Sequence, residues 1–214
     1  MIRRCRELGA EVLASPGTLV DAAELLPDDG YWTVSTLREP YRVEGKKTMA
    51  LELAEQTGWD PPEWILYPTG GGTGIVGMHK AFGELERLGL LPPGRRPRFV
   101  AVQMAGCAPV VEAFEAGRAL AVPWERPETR VWGLRVPRLL GDRLVLTALR
   151  ETGGRAVAVP ESALAETAAR VARREGLRVG PEGAACLVAL ERLAAERVIP
   201  EGDRVVVFQT GAPG

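Results

Sequence analysis

Apolar positions along the chain follow two periods, and together they predict alternating strands and helices. Short apolar runs such as EWILYP and PRFVAVQ are typical of buried strands, whereas apolar residues three or four positions apart predict helices. The predicted helices cover 2–9, 18–26, 39–58, 75–88, 108–117, 138–154, 161–176 and 181–197, and the predicted strands cover 10–15, 31–36, 63–68, 97–103, 155–160 and 203–211. Strands separated by helices in this way indicate βαβ units, and therefore an α/β fold with a mostly parallel sheet and helices on both faces, a three-layer sandwich.

Composition narrows the classes of protein that fit. The chain has 214 residues, with 27 Lys and Arg against 28 Asp and Glu, so it has no basic excess that would favour nucleic acid or a membrane surface. No apolar run is long enough to span a bilayer, and the scattered cysteines do not suggest a disulfide framework, so we expect a cytoplasmic protein. The absence of Asn and the 17 prolines fit a thermophilic source.

A glycine-rich stretch between a predicted strand and a predicted helix is the strongest candidate for a binding site. In YPTGGGTGIVGMHKAF, Gly70, Gly71, Gly72, Thr73 and Gly74 follow the strand directly. Backbone N–H groups at such a junction point toward one spot, the glycines let a ligand approach closely, and the helix dipole favours an anion. The stretch therefore predicts a seat for a phosphate group.

Three phosphate-binding motifs compete for this stretch. A Walker loop requires Gly-Lys-Ser/Thr at its end, which the sequence lacks. The dinucleotide pattern G-x-G-x-x-G matches Gly72, Gly74 and Gly77, but the next strand ends in Gln103 where an acidic residue should hold the ribose. The third candidate is the phosphate of pyridoxal phosphate.

Several blocks of the sequence resemble threonine synthase, a member of fold type II of the pyridoxal-phosphate enzymes, whose fold is like that of the tryptophan synthase β subunit. They are STLREPYRVEGKKTMALELAEQ, WILYPTGGGTGIVGMHKAF, AVQMAGCAPVVEAFE, GLRVPRLLGD, and PEGAACLVALERL followed by VVVFQTG. The blocks occur in family order over nearly the whole chain and match the later part of such an enzyme. The resemblance implies a remnant of the small domain at 1–37 and a large cofactor-binding domain at 38–214.

The resemblance also assigns roles to individual residues. It implies that residues 70–74 hold the cofactor phosphate and that Thr210, in QTG, hydrogen-bonds the pyridine nitrogen. Glu182, in PEGAA, would lie near the cofactor ring, although a carboxylate at a helix start is also typical of simple capping. We expect no metal site, because the single histidine, His79, has no second ligand at a suitable spacing.

One element of the family is missing from the sequence. The Schiff-base lysine belongs to an early motif that nothing here matches, and Lys occurs only at Lys46, Lys47 and Lys80, which we interpret as structural or solvent-facing residues. We therefore predict no catalytic residue in this chain. The expected protein is a truncated threonine synthase-like lyase that is not competent alone and that binds pyridoxal phosphate non-covalently or not at all.

Two alternatives to a threonine synthase remain open. A threonine dehydratase-like lyase shares the glycine loop, and a non-enzymatic binding protein could use the remaining phosphate seat. For partners, we expect a small phosphate-bearing molecule and either a homodimer or a complementing chain that carries the lysine. We expect neither nucleic acid nor membrane as a partner.

Overall fold

The structure is a computed structural model that describes residues 2–15, 22, 25, 30, 32 and 34–211. Contacts between Cα atoms divide the chain into a short unit at 1–33 and a large unit at 34–214. The boundary that the resemblance implies, at residue 37, stays a prediction.

The short unit contains one described helix, α1, over Ile2–Glu7. Two arginines of this helix form surface ion pairs with Glu7, and the helix ends before Gly9, whose φ is +86°. The predicted strand at 10–15 is wrong: these residues are extended but pair with no other described strand, and they lie mostly at the surface. The predicted helix at 18–26 and strand at 31–36 fall largely outside the described residues.

The large unit alternates helices and strands as the periodicity predicts. Its helices are α2 (Tyr41–Gln56), α3 (Thr73–Arg87), α4 (Pro109–Glu115), α5 (Asp142–Glu151), α6 (Leu164–Glu175) and α7 (Pro181–Ala195), and its strands are β1 (Trp64–Pro68), β2 (Arg98–Met104), β3 (Arg155–Val159) and β4 (Val205–Val207). Short 3₁₀ turns lie at Trp132–Leu134 and Glu161–Ala163. None of the described helices is long and apolar enough to cross a membrane.

The four strands form one parallel sheet in the order β3-β2-β1-β4. Leu66, in the middle of β1, pairs with Val100 of β2 on one side and with Val207 of β4 on the other. Because β1 and β4 are parallel neighbours, the residues that follow them emerge at the same carboxyl edge of the sheet. This edge is where ligands bind in open α/β sheets.

Helices cover both faces of the sheet, which confirms the predicted three-layer α/β fold. On one face, Ile65 and Phe99 pack with helices α2 to α5 in a buried cluster. On the other face, Leu66 and Val100 pack with α7 and with Leu164 at the start of α6. The β1 and β2 side chains thus alternate between two cores, and the strands are almost wholly buried.

Two predicted elements are longer in the sequence than in the structure. The helix expected over 138–154 covers only 142–151, because Leu139 is drawn into the core and the helix starts at Gly141, which has no room for a side chain beside Leu37. The last strand covers only 205–207, since Phe208 turns to pack against Tyr67 with ring centroids 5.3 Å apart.

Candidate functional site

The glycine loop joins the carboxyl end of β1 to the start of α3. Gly72 is the N-cap of this helix, in a left-handed conformation with φ +81°, and no side chain caps the helix. Among the described residues, no carbonyl or side chain accepts a hydrogen bond from the backbone N–H groups of residues 70–75. Most of these residues are buried, and buried N–H groups are normally paired. The loop therefore presents donors that suit an anion.

Each glycine of the loop also has a close neighbour within the chain. A Cβ atom on Gly70 would collide with the carbonyl oxygen of Gly133, and one on Gly74 would collide with the ring of Tyr67. The constraint at Gly71 is milder, because its nearest neighbour is the side-chain methyl of Thr36. At this position a substitution can be accommodated if that methyl is removed.

Thr73 completes the predicted phosphate seat as the first residue of α3. Its side chain is buried, at 7% exposure, and its hydroxyl adds a donor to the N–H groups of the first helical turn. At Gly72 a Cβ would collide with Val145 of α5, and the positive φ disfavours other residue types as well. The geometry of the loop is thus fixed by its packing.

The end of β4 lies beside the glycine loop, as the sheet order requires. The N–H of Phe208 donates to the carbonyl of Leu66 at 3.0 Å, which carries the β1–β4 pairing to the edge of the sheet. Thr210 follows two residues later and is exposed. The structure thus brings Thr210 and the glycine loop to one edge, on neighbouring strands.

Glu182 also reaches this edge, from the first turn of α7. Its carboxylate lies where Cβ atoms would stand on Gly133, 2.8 Å away, and on Gly211, which is closer still. The side chain is half-buried between the 3₁₀ turn and the end of β4. Because Gly133 also touches Gly70, a continuous row of contacts runs from the glycine loop to Glu182.

Gln103, where the dinucleotide pattern needs an acid, has a structural role. Its amide is fully buried; Nε2 donates to the carbonyl of Thr69 at 3.1 Å, and Oε1 accepts from the N–H groups of Val110 at 2.8 Å and Val111 at 3.3 Å. These bonds hold the start of the glycine loop against the start of α4. An amide committed to three backbone groups does not serve as a ribose ligand.

The lysines lie on the pair of helices α2 and α3. Lys47 is clamped by Glu44 and Glu84, each at 2.6 Å, and hydrogen bonding to Glu44 and then Glu84 raises its pKa. Lys80 pairs with the same two carboxylates. The stem of Lys46 packs where α2 crosses Gly77 closely. Lys47 and Lys80 are therefore held in ion pairs that keep the amines charged.

His79 and Cys107 show no sign of activation. Burial lowers the pKa of His79; its Nε2 lies 3.0 Å from a carboxylate oxygen of Glu151, but the ring N–H does not point along that line. Burial raises the pKa of the Cys107 thiol, and a hydrogen bond from the backbone N–H of Val136 offsets this rise only in part. No cluster of metal-ligating side chains occurs among the residues that the structure describes.

Some residues at this edge were not singled out from the sequence. Gly133 lies in the GLRVP block, but its contacts with Gly70 and Glu182 depend on chain segments far apart in sequence. Thr36 and Gly183 are similar cases; the latter is approached by the Gln209 side chain. The closest signal in the sequence was the low side-chain volume of the WGL and PEG triplets.

Comparison with known proteins agrees with this geometry. Residues 1–211 match the family described as "Pyridoxal-phosphate dependent enzyme". The chain is 30% identical over 206 residues to threonine synthase from Methanocaldococcus jannaschii and 31% identical over 207 residues to that from Methanosarcina acetivorans. In both comparisons 95% of this chain and 50% of the relative are covered, so the chain spans about half the length of the curated relatives it matches.

Solved structures with the same fold are also known. A bacterial-type threonine deaminase, whose source is given as T.th., has a TM-score of 0.62 and 28% identity, covering 81% of this chain and 58% of that one. The processed threonine deaminase isoform 2 from Solanum lycopersicum has a TM-score of 0.77 over 99% of this chain and 58% of its own, at 19% identity, which supports the fold alone. The fold type II assignment is thereby confirmed.

Proposed function

Because the chain belongs to the pyridoxal-phosphate dependent enzyme family, we propose that its glycine loop holds the phosphate of pyridoxal phosphate. The observation that carries this proposal is the row of backbone N–H groups at 70–75 that have no acceptor among the described residues. A phosphate at the start of α3 would accept from these groups and would interact favourably with the helix dipole. The Thr73 hydroxyl would add one donor.

Thr210 and Glu182 would lie toward the ring of the cofactor. A threonine hydroxyl beside the pyridine nitrogen is a neutral partner, and so it does not enforce protonation of that nitrogen as a carboxylate would. Glu182 would act indirectly, by keeping the 3₁₀ turn and the end of β4 in place. The bound cofactor would supply electron withdrawal from an amino acid joined to its aldehyde.

The reaction we propose for the whole protein is that of a threonine synthase, the conversion of O-phosphohomoserine and water into threonine and phosphate. The supporting observation is the similarity to threonine synthases along 95% of this chain. Since the chain spans about half of those relatives, the activity belongs to the proposal and not to the comparison.

We further propose that this chain does not catalyse the reaction alone. Covalent catalysis by lysine needs a free amine beside the cofactor aldehyde. Lys47 and Lys80 are engaged by carboxylates on α2 and α3, and the stem of Lys46 is packed against Gly77. A complementing chain that carries the lysine, or a homodimer, would be needed to complete the site.

A titration with pyridoxal phosphate tests the binding proposal. We expect reversible binding with a change in visible absorption, and no lysine adduct in the intact mass after borohydride reduction. A reduced adduct mapped to any lysine of the purified chain would contradict the claim that the covalent anchor is missing. Absence of binding would contradict the proposed phosphate seat.

A pair of variants links the binding to the loop. A Cβ on Gly71 would lie 2.9 Å from Cγ2 of Thr36, so the double variant Gly71→Ala/Thr36→Ser removes that clash and still places a methyl group in the loop. We expect it to weaken binding at least tenfold without unfolding the protein. Gly45→Ala, in open space on the exposed side of α2, is the matched control and should bind as the parent does. Equal affinity of the double variant and the parent would count against the loop as the site.

A threonine dehydratase-like activity is the second candidate, and the similarity to the T.th. threonine deaminase favours it. Once the site is completed by a complementing chain, the two activities are separable by product. Release of phosphate from O-phosphohomoserine would support the synthase, whereas a 2-oxo acid from threonine would support the dehydratase.

A further inference from the structure

A second cavity opens at the carboxyl edge of the sheet, beyond the turn that touches the glycine loop. It has a volume of about 460 Å³ and is lined by Pro127, Glu128, Thr129, Arg130, Arg135 and Glu161. This volume lies within the range of about 300–1,000 Å³ that ligand pockets occupy. Glu161 directly follows β3, which places the cavity at the same edge as the glycine loop.

Arg135 is the unusual residue of this cavity. Its Nε atom is buried, yet it has no hydrogen-bond partner among the described residues. Buried donors of charged groups are normally satisfied, and an orphaned one requires an explanation. The guanidinium stacks on the ring of Trp132 at 5.4 Å, although this ring is 74% exposed. An arginine held on an aromatic ring is oriented without being neutralised.

The acidic residues of the cavity do not neutralise the arginines. In the described part of the chain, no carboxylate lies within ion-pair distance of Arg130 or Arg135. The Glu161 carboxylate instead accepts from the Thr129 hydroxyl at 2.8 Å and from the backbone N–H of Arg130 at 3.1 Å. Glu128 also lines the cavity, where it is exposed to solvent.

We propose that this cavity is a binding site for a small phosphate-bearing molecule, with Arg135 and Arg130 as its cationic ligands. Guanidinium groups bind phosphate oxygens through paired N–H donors, and Nε is one of the donors that such a pair uses. A phosphate would therefore satisfy the orphaned Nε of Arg135. The site is distinct from the glycine loop, and the inference does not depend on pyridoxal phosphate.

The test is calorimetric titration with inorganic phosphate at constant ionic strength. It is carried out in the Gly71→Ala/Thr36→Ser background, so that failure of either phosphate site can be told from failure of the other. The variants are Arg135→Met, which keeps the stem but removes the donors, and Arg130→Gln. Arg87→Met, at the exposed end of α3 and outside the cavity, is the matched control.

We expect phosphate to bind in this background, at least tenfold more weakly in Arg135→Met, several-fold more weakly in Arg130→Gln, and unchanged in Arg87→Met. Without phosphate, Arg135→Met should be as stable as its background or more stable, because the orphaned donor is gone. A purely structural arginine would instead lower the melting temperature when removed. Equal phosphate affinity in Arg135→Met and Arg87→Met would overturn the proposal, as would binding of acetate without binding of phosphate.

Discussion

Glu63, immediately before β1, ties together the amino edge of the sheet through its carboxylate. Oε1 lies 2.8 Å from Arg95, and Oε2 accepts from the backbone N–H of Arg204 at 2.8 Å. The Arg204 guanidinium adds contacts of 3.3 Å to both oxygens. Arg204 directly precedes β4, so this carboxylate links the starts of β1 and β4. Replacing Glu63 by Gln removes the charge and keeps the shape.

Hydrogen bonds from Arg204 and Arg95 lower the pKa of the Glu63 carboxyl from 4.5 to about 2, with the Arg204 side chain as the largest cause. Fully expressed, a lowering of this size would stabilise the ionised folded state by about 3 kcal/mol. The side chain is 28% exposed, so solvent screening reduces the expected contribution to about 1–2 kcal/mol. We therefore expect Glu63→Gln to lower the free energy of unfolding by about 1–2 kcal/mol at pH 7.

The pH dependence gives the stricter test. The folded-state pKa lies below the unfolded value, so the stabilisation is complete above about pH 4.5 and is lost as the pH falls toward 2. Urea unfolding of parent and variant at several pH values from 7 to 3 should show the difference shrinking below pH 5. Asp60→Asn is the control: it pairs with the same two arginines, but its side chain is 59% exposed, so its effect should be small. A loss that stays constant with pH, or equal losses in the two variants, would refute the electrostatic explanation.

Other consequences of the structure can be measured directly. Gln103→Leu should lower the free energy of unfolding by about 2–4 kcal/mol in urea melts, because it leaves three buried backbone groups without a partner; a loss under about 1 kcal/mol would contradict this role. Because burial lowers the pKa of His79, the parent should lose more stability than His79→Gln as the pH falls from 7 to 5, and parallel curves would contradict this. In the native protein a thiol reagent should modify Cys5 alone, since Cys107 and Cys186 are buried and their thiol pKa values are raised; denaturant should expose all three, and rapid native reaction of either buried thiol would be inconsistent with the packing.

Elements whose residues are buried by local neighbours were predictable from the sequence. Strands β1 and β2 and helices α3 and α7 agree with the predicted spans to within about two residues, because their apolar periodicity matches the faces that they bury. The strand expected at 10–15 failed for the opposite reason. Its composition suits a strand, but strand formation needs a neighbour to pair with, which a local pattern does not specify.

The candidate site divides in the same way. The glycine loop could be found because all its donors come from consecutive residues. The approach of Gly133 to Gly70, and of Glu182 to Gly211, could not be found, because it depends on the order β3-β2-β1-β4. Even the apparent meaning of Gln103 changed in the structure: the pattern made it a poor ribose ligand, whereas its burial makes it a support for the loop.

The crowded packing of the glycine loop has a consequence for how such sequences evolve. A larger residue at Gly70 or Gly74 would collide with the protein's own carbonyl or aromatic ring, whether or not anything is bound. Selection for folding alone therefore preserves these two positions. A descendant that had lost its ligand would keep much of the glycine pattern, and a search for that pattern would score it as a binder. Gly71, whose nearest neighbour is a methyl group on an adaptable side chain, is the position where loss of the ligand should first become visible as substitution.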